Sequence, residues 1–304
     1  MQKIAISLIT YNSHDKTIAC LESLDKIQTG DVELSVIVID NASKEKFQYT
    51  KKPQNFSLTI LHQATNSGFS GGHNVGISYA LKNEADFILL LNNDTTVDPQ
   101  LLVSLHQALE KDKKVGAVVP KIYFEKGHEF HKDRYTKDEL GKVFWYAGGK
   151  MDFENVVGDH RGVDEVDHGQ YDKEEVVELL TGCCVLLRSE VFRKVGMFDE
   201  RYFLYYEDAD LHERLKKAGY LVKYIPKAVL WHSNAGSTGG SGSKLQDYYI
   251  SRNRMLFGMT YAPIRTKIAL GRESLRLLVT GREWQKIGIK DFYTRNFGKG
   301  SYNV

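Results

Sequence analysis

The chain has 304 residues, of which 42% are hydrophobic and 26% charged, and its formal net charge is +2. This composition excludes collagen-like, disordered and disulfide-scaffold proteins, and a charge so close to zero argues against a nucleic-acid partner. The odd number of cysteines, without a CxxC spacing, fits a reducing compartment. Because we find neither a signal-peptide pattern nor an apolar run of about 20 residues, we expect a soluble protein in the cytoplasm.

The first 120 residues alternate short apolar runs with helical patterns. The apolar runs lack polar alternation, which is typical of strands in a parallel sheet covered on both faces. Alternation of strands and helices predicts an open, doubly wound α/β sheet. The predicted strands are 3–10, 34–40, 57–61, 86–91 and 115–120, and the predicted helices are 14–24, one ending near 82, and 99–111.

Beyond residue 120 the pattern is less regular. We expect a charged interruption at 125–142 to form a mobile surface loop, and SNAGSTGGSGS at 233–243 to form a flexible linker. The pattern predicts a small mixed sheet and a helical C-terminal extension. The elements predicted here are apolar strands within 143–149 and 176–187, a helix at 207–218, strands at 221–225 and 229–232, and helical structure from 244 onward.

Polar residues follow three of the predicted strands. Thr10, Tyr11 and Asn12 follow the first strand, Asp40 and Asn41 follow the second, and the triplet NND at 92–94 follows the fourth. In open α/β sheets, ligands bind beyond the carboxyl ends of the strands, so these side chains together predict one polar crevice. Each of them alone is equally compatible with an ordinary turn.

The segment TNSGFSGGHNVG at 65–76 places four glycines around the start of a predicted helix. Glycines let the backbone approach a phosphate or sugar closely, and a helix N-terminus favours an anion. The spacing matches neither GxGxxG nor GxxxxGK[ST], which disfavours a nicotinamide cofactor and a P-loop nucleotide.

Carboxylates occur in two patterns of chemical interest. In the triplet at 92–94, a carboxylate and an amide carbonyl can share a divalent cation and its bound diphosphate. Asp208 lies between Glu207 and Asp210 at a predicted helix start, where acids are stabilising in any case. Aromatic residues just before it would desolvate Asp208 and raise its pKa toward that of a general base. His232 suits either a metal site or a structural role.

Seven motifs occur in order over roughly residues 3–258. Together they resemble inverting glycosyltransferases of family 2, which have the GT-A nucleotide-sugar fold, and above all the bacterial rhamnosyltransferase-like branch of that family. The motifs are LITYNS, VIVIDNAS, NSGFSGGHNVG, LLLNNDTTVDP, TGCCVLLRSEVFRKVGMFDERYFLYYEDADLHERLKKAGY, LWHS and YYISRNR.

The resemblance implies roles for individual residues. Asp208 would be the catalytic base that takes the proton from an acceptor hydroxyl. Asp94, with His232 and Asn92, would bind the Mg²⁺ or Mn²⁺ that bridges the donor diphosphate. Asn92 stands where the DxD motif of the family has its first Asp, so the site has one anion fewer. The residues implied in donor binding are Thr10, Tyr11, Asn12, Asp40, Asn66, Gly68, Phe69, Gly72, Asn74, Asn93 and Arg252.

The expected reaction is transfer of rhamnose from dTDP-rhamnose to a cell-surface polysaccharide or a lipid-linked glycan, with inversion. A UDP-sugar donor carrying glucose, galactose or galactofuranose is the alternative within the same fold. A non-catalytic subunit that binds a nucleotide sugar is the alternative in another class. A nucleotidyltransferase is disfavoured, because its glycine-rich signature with a basic residue is missing from the N-terminus.

The resemblance and the charge pattern also suggest a division of the chain. Residues 1–260 would form the GT-A catalytic domain, with a nucleotide-sugar half at 1–120 and an acceptor-side half at 121–260. Residues 261–304 would form a helical extension with nine Lys and Arg against three acids. A basic amphipathic helix suits peripheral contact with the inner face of the cell membrane, and a homodimer contact is the alternative.

Overall fold

The computed structural model describes residues 1–233 and 242–302, so the predicted linker at 233–243 lies almost wholly outside the described residues. Strands separate most helices of the described part, whereas the last three helices follow one another directly. These helices are α1 His14–Leu24, α2 Gly68–Lys82, α3 Leu101–Glu110, α4 Ser189–Val195, α5 Glu207–Lys217, α6 Lys244–Tyr261, α7 Ile264–Thr280 and α8 Glu283–Thr294.

Among the strands of the described part, the first, second, sixth and last are the longest, and those between residues 144 and 176 are short. They are β1 Gln2–Thr10, β2 Val32–Asp40, β3 Ser57–His62, β4 Phe87–Asn92, β5 Thr95–Val97, β6 Val115–Phe124, β7 Phe144–Tyr146, β8 Gly149–Asp152, β9 Val157–His160, β10 Glu175–Val176, β11 Cys184–Arg188 and β12 Leu221–His232.

One large sheet has the strand order β10-β12-β6-β11-β4-β1-β2-β3, with β5 beside β12 and β7 beside β6. Strands β1 to β4 pair in parallel, and so do β6 and β12. Strand β11 runs antiparallel between β4 and β6, and β8 and β9 form a separate hairpin. The predicted open, mostly parallel sheet with a small second sheet is confirmed.

Burial explains why the apolar runs form these strands. In β4 the five residues 87–91 are all buried, and successive side chains of a strand point to opposite faces. Both faces of the sheet are therefore covered at this position. The same holds for the last five residues of β2, at 36–40.

The strand register brings polar strand ends together. Thr10 lies opposite Asp40 in the β1–β2 pair, and Ile9 lies opposite Asn92 in the β1–β4 pair. At the far end of β12, His232 lies opposite Thr95 of β5. Pairing of β5 with β12 thus places His232 beside the turn that follows β4, although the two segments are far apart in sequence.

The C-terminal helices share a second hydrophobic cluster with residues of the middle of the chain. Phe257 of α6, Leu270 of α7 and Ile289 of α8 belong to this cluster together with Val156 and Tyr202. The extension is thus packed against the rest of the protein. Among the residues described, none of the helices is both long and apolar enough to cross a lipid bilayer.

Two predicted features differ in the structure. Residues 221–232 form one strand with an irregularity between Ile225 and Val229, rather than two strands. The charged segment at 125–142 is held in place by Glu129, whose buried carboxylate accepts hydrogen bonds from the backbone N–H groups of Gly127 and Gly141 at 2.8 and 2.7 Å. The high charge of the segment indicated a mobile loop. Composition alone does not show that one of its acidic side chains, Glu129, is buried.

Candidate active site

A cavity of about 790 Å³ opens at the carboxyl edge of the parallel strands. Residues from both halves of the chain line it. Ligands of open α/β sheets bind beyond the carboxyl ends of the strands, so the cavity lies where a ligand site is expected. The expected site residues that line it are Tyr11, Asn66, Gly68, Phe69, Asn92, Asn93, Asp94, Asp208 and His232.

Asp94 and His232 form a pair in one corner of this cavity. The Asp94 Oδ1 atom lies 3.0 Å from the His232 Nε2 atom, and both side chains are largely buried. Burial alone would raise the pKa of Asp94, but the hydrogen bond and charge of His232 outweigh it, so the pKa is lowered. The carboxylate therefore stays charged at neutral pH, as a cation ligand must.

The backbone fixes this corner as well. The backbone N–H of Ser233 donates to the Asp94 carbonyl oxygen at 2.9 Å, which ties the end of β12 to the turn after β4. The Asn93 side-chain amide donates to the hydroxyls of Ser13 and Thr17 at 2.7 and 2.8 Å. Asn93 thus anchors the same turn to α1.

The donor set of the corner can be compared with the needs of a divalent cation. The Asp94 carboxylate is a donor that hard divalent cations prefer, and His232 Nε2 would join it as a ligand only after giving up the proton of its hydrogen bond with Asp94 Oδ1. The buried His232 Nδ1 atom has no hydrogen-bond partner among the described residues. Within the same residues, no cluster of three or more His, Cys, Asp or Glu could hold a metal. The remaining ligands would therefore come from the diphosphate and water.

Asp208 lies in the first turn of α5 and lines the same cavity, at a place that we call the Asp208 corner. Its carboxylate accepts hydrogen bonds from the backbone N–H groups of Ala209 and Gly182, at 2.8 and 3.3 Å. Burial raises the pKa of Asp208, and these two N–H groups only partly oppose that effect. The carboxyl group is thus oriented by the backbone and more basic than an ordinary Asp, which suits a general base.

The acidic neighbours of Asp208 differ in their environment. Glu207 is buried in the cavity wall, where burial and the charge of Asp208 raise its pKa well above the usual range. Asp210 instead accepts hydrogen bonds from Arg214 and Tyr261, at 2.8 and 2.7 Å. Asp210 therefore joins α5 to the end of α6 and has a structural role.

The aromatic segment before α5 has an unusual backbone. Phe203, Tyr205 and Tyr206 have φ angles of 58°, 69° and 71°, in the left-handed region that bulky residues rarely adopt. The Asn253 side-chain amide donates to three carbonyl oxygens of the segment, those of residues 202, 204 and 205, at 2.7 to 2.9 Å. Residues of α6 thus hold the loop that delivers Asp208.

Arg252 has a different position from the one that the resemblance implies. Its guanidinium is fully buried and does not line the cavity. It donates to the carbonyl oxygens of Arg201, Tyr202 and Asn296, at 3.1, 3.3 and 3.4 Å. In this structure Arg252 supports the aromatic loop and lies outside the cavity lining.

The N-terminus of α2 is also occupied by protein. The backbone N–H groups of Phe69 and Ser70 donate to the Phe203 carbonyl oxygen, at 2.7 and 3.3 Å. Gly68 has φ of 73°, and a Cβ there would lie 2.4 Å from the same oxygen. Gly68 is therefore required for the contact with the aromatic loop. The expectation of an anion at this helix end is wrong for the arrangement seen here.

The other expected donor residues lie outside the cavity lining. The buried carboxylate of Asp40 accepts hydrogen bonds from the N–H groups of Ser43 and Phe47. Hydrogen bonds from the Ser43 side chain, the Phe47 N–H and His62 lower its pKa to about 2 despite burial. Thr10 and Asn74 form hydrogen bonds within the protein, and Gly72 packs closely against Ile9. Asn12 is exposed and accepts a hydrogen bond from the backbone N–H of Lys44, so it links the ends of β1 and β2.

Several cavity residues had no role assigned to them in the sequence analysis. Trp145 stands edge-to-face with both His232 and His160, at ring-centroid distances of 4.7 and 4.8 Å. The half-buried His160 has its pKa lowered to about 4 by desolvation, so it is neutral. Asn41 donates to the Gly68 carbonyl oxygen at 2.9 Å and lines the cavity. Only Asn41 had a signal, since it follows Asp40 at the end of a strand.

The fold and this cavity define a class of enzyme, a glycosyltransferase with the GT-A fold. The profile of glycosyl transferase family 2 matches residues 6–196, which is more than half of the chain. The chain belongs to that family.

Similar proteins agree with this assignment. The N-acetylglucosaminyl-diphospho-decaprenol L-rhamnosyltransferase of Mycobacterium tuberculosis is 28% identical over 68% of this chain and 68% of its own length. The dTDP-rhamnosyl transferase RfbF of Shigella flexneri is 24% identical over 74% of this chain and 67% of its own. The structure of GalNAc-T7 with UDP, GalNAc and Mn²⁺ superposes with a TM-score of 0.64 at 13% identity, over 97% of this chain and 55% of that one. The expected enzyme class is confirmed.

Proposed function

We propose that the protein is an inverting glycosyltransferase that moves rhamnose from dTDP-rhamnose to a cell-surface polysaccharide or a lipid-linked glycan. One observation carries the proposal: Asp94, Asp208 and His232, distant in sequence, line the same cavity. A donor diphosphate at the first corner and an acceptor hydroxyl at the second would face each other across this cavity. Residues 1–260 would form the catalytic domain, donor-side at 1–120 and acceptor-side at 121–260, and 261–304 its extension.

Asp208 would take the proton from the acceptor hydroxyl while that oxygen attacks the anomeric carbon and the bond to the diphosphate breaks. A single displacement of this kind inverts the anomeric configuration. The N–H groups of Gly182 and Ala209 support this role, because they fix the direction of the carboxylate. The raised pKa supports it as well, because a base works best when its pKa is near the working pH.

Asp94 and His232 would hold a Mg²⁺ or Mn²⁺ ion, with Asn92 as a neutral neighbour in the cavity wall. Such an ion supplies positive charge where negative charge develops on the leaving diphosphate. Among the described residues, this corner offers the ion a single carboxylate, because Asn92 stands where the DxD motif of the family has an Asp. Mg²⁺ is commonly bound by one or two carboxylates plus substrate phosphates. We therefore expect weak affinity for the cation until the donor is present.

Rhamnose and dTDP as the donor parts are supported by the names of the mycobacterial and Shigella relatives. A UDP-sugar is the second candidate, and it is favoured by the likeness to a structure that contains UDP and GalNAc. Aromatic side chains line the cavity and suit the apolar face of any hexose. They do not choose between the two donors.

A lipid-linked acceptor is supported by the apolar part of the cavity wall. Met151, Val157, Leu245 and Ile250 line the cavity on the side of α6 and the small hairpin. Such a wall suits an acceptor with a hydrophobic portion, and the mycobacterial relative is named for a decaprenol-linked acceptor. The three free cysteines are consistent with a reducing compartment, so we propose the cytoplasmic side of the cell membrane as the location.

The donor can be identified by thermal unfolding of the chain with dTDP-rhamnose, UDP-glucose, UDP-galactose and UDP-galactofuranose, each with Mn²⁺ or EDTA. A ligand at about 100 times its Kd stabilises the folded state by about 2.7 kcal/mol, so the right donor raises Tm. We expect the largest rise with dTDP-rhamnose and Mn²⁺. A rise with a UDP-sugar alone selects the second candidate, and no rise with any nucleotide sugar contradicts the proposal.

A further inference from the structure

Helix α7 carries an exposed apolar stripe that no other described element covers. The stripe consists of Ile264, Ile268, Leu275 and Val279, whose exposed fractions are 74%, 52%, 61% and 75%. At about 100° per residue, these four positions fall within an arc of about 60°. Isolated exposed apolar residues are common, but four on one helix face form a patch that calls for a partner.

The charges around the stripe point to the nature of that partner. Arg265, Arg272 and Arg276 are exposed along one side of it, and none of them forms an ion pair with any residue in 1–233 or 242–302. The only acid of α7 is Glu273, and it faces the protein, where it pairs with Arg254 of α6 at 2.8 Å. The stripe is thus bordered by positive charge alone.

We infer that α7 docks the protein in the plane of an anionic phospholipid bilayer, with the α7 stripe among the acyl chains and the three arginines at the headgroups. An apolar face flanked by basic side chains is the arrangement that binds such interfaces. A helix of 17 residues is about 25 Å long and carries four arginine and lysine side chains, so it lies in the surface rather than spanning it.

A second copy of the chain is the competing occupant. Two α7 helices packed antiparallel about a two-fold axis would meet near the middle of the stripe, at Arg272. The same positive charge from each copy would then be brought together at the centre of a low-dielectric contact, which is unfavourable. The bilayer removes this conflict, because its phosphates carry the opposite charge.

Docking through α7 would also orient the cavity. Arg254 lines the cavity and bonds to Glu273, so α6 connects the cavity wall directly to α7. Leu245 and Ile250 of the same helix line the apolar side of the cavity. If the proposed function holds, this geometry brings the apolar wall near the membrane that contains a lipid-linked acceptor. The docking itself does not depend on that function.

Flotation of the full chain tests the inference with vesicles of phosphatidylcholine alone and of phosphatidylcholine mixed with phosphatidylglycerol. We expect flotation with the anionic vesicles only. The triple variant Arg265→Gln, Arg272→Gln, Arg276→Gln should lose about a hundredfold in partition coefficient, given the usual contribution of each basic residue. The double variant Ile268→Gln, Leu275→Gln should lose at least about tenfold.

The matched control is Lys46→Gln, Lys52→Gln, Lys113→Gln, which removes the same charge from exposed positions outside the extension. It should float like the unchanged chain. Equal loss in this control, flotation that ignores lipid charge, or no flotation overturns the inference. Light scattering provides a further check, because a dimer that Ile268→Gln, Leu275→Gln dissociates would identify the stripe as a contact between copies. None of these readouts depends on sugar transfer.

Discussion

Asp94 and Asp208 line the same cavity, yet their surroundings move the pKa of the same side chain in opposite directions. Burial raises the pKa at both positions. At Asp94 the hydrogen bond and charge of His232 outweigh burial and lower the pKa, whereas at Asp208 only backbone N–H groups oppose it and the pKa stays raised. One carboxylate is therefore suited to a cation and the other to a proton. The neighbours, rather than the residue type, assign the role.

The two corners also differ in how they are built. The Asp94 corner consists of strand ends that the sheet brings together, with His232 opposite Thr95. The Asp208 corner rests on a strained loop that is held from outside by Asn253 and by the N-terminus of α2. The first corner is a direct product of sheet topology, while the second depends on remote segments and is easier to disturb.

The largest effect is expected from Asp208→Asn, which removes the proposed base but keeps the shape of the side chain. Initial rates of sugar transfer should fall by about 10²–10⁴-fold, as is typical for the loss of a general base. Donor binding, followed by the rise in Tm, should remain. Transfer at the unchanged rate would refute the role of Asp208.

The same variant has a pH signature. Because the pKa of Asp208 is raised, the unfolded chain loses this proton at a lower pH than the folded chain does, and stability is lost as the pH rises between the two values. Asp208→Asn should therefore unfold at a higher Tm than the unchanged protein at neutral pH, with the difference vanishing below the ordinary pKa of Asp. Activity of the unchanged enzyme should fall as the pH drops through the raised pKa.

Asp94→Asn tests the proposed cation site at Asp94 and His232. With the only carboxylate of the proposed cation site neutralised, the Mn²⁺-dependent part of the donor-induced rise in Tm should disappear, and transfer should fall by about 10²–10³-fold. The pH dependence assigned to Asp208 should be unchanged, which separates the two corners. A donor response to Mn²⁺ equal to that of the unchanged protein would place the cation elsewhere.

Asn253→Leu would disturb the Asp208 corner alone, because it removes the hydrogen bonds that hold the aromatic loop at 202–205 and Asn253 does not line the cavity. The loop should relax from its left-handed conformation, so that transfer falls by roughly a hundredfold at most, the cost of a displacement of about 1 Å. Asp208 would become better hydrated, and the acidic limb of the pH–rate profile should move to lower pH. A lower rate with an unmoved limb would mean that Asn253 acts on folding alone.

The smallest effect is expected from Gly182→Ala. A Cβ at this position would lie 2.9 Å from the Phe69 ring and 3.7 Å from the Asp208 Cβ atom. We expect a loss of about 1–3 kcal/mol in the free energy of unfolding from overpacking. Gly271→Ala on α7 is the matched control, since a Cβ there meets no atom within 4 Å, and it should stabilise the helix instead. Urea denaturation of both variants measures the contrast.

The sequence predicts the first corner better than the second, for a physical reason. Asp94 follows a buried strand and Asp208 follows a run of aromatic residues, and both patterns are visible in the local sequence. The roles of Arg252 and Asn253 depend on carbonyl groups about 50 residues away, at 201–205. No local pattern reveals such a bond, so Arg252 was expected among the donor-binding residues. The role of Asp40 in donor binding stays a prediction, since its carboxylate bonds here to backbone N–H groups of the following loop.

Residues 296–301 wrap the helix that supports the aromatic loop, and this has a practical consequence for protein engineering. The Asn296 carbonyl oxygen accepts from Arg252, and the Ser301 N–H donates to the Tyr248 hydroxyl at 2.9 Å. A chimera that exchanges catalytic domains between relatives at residue 260 would keep all the described residues of the cavity lining. It would lose the contacts of residues 296–301 with Arg252 and Tyr248. Exchanges of acceptor preference should therefore carry the last forty-odd residues along with the donor crevice.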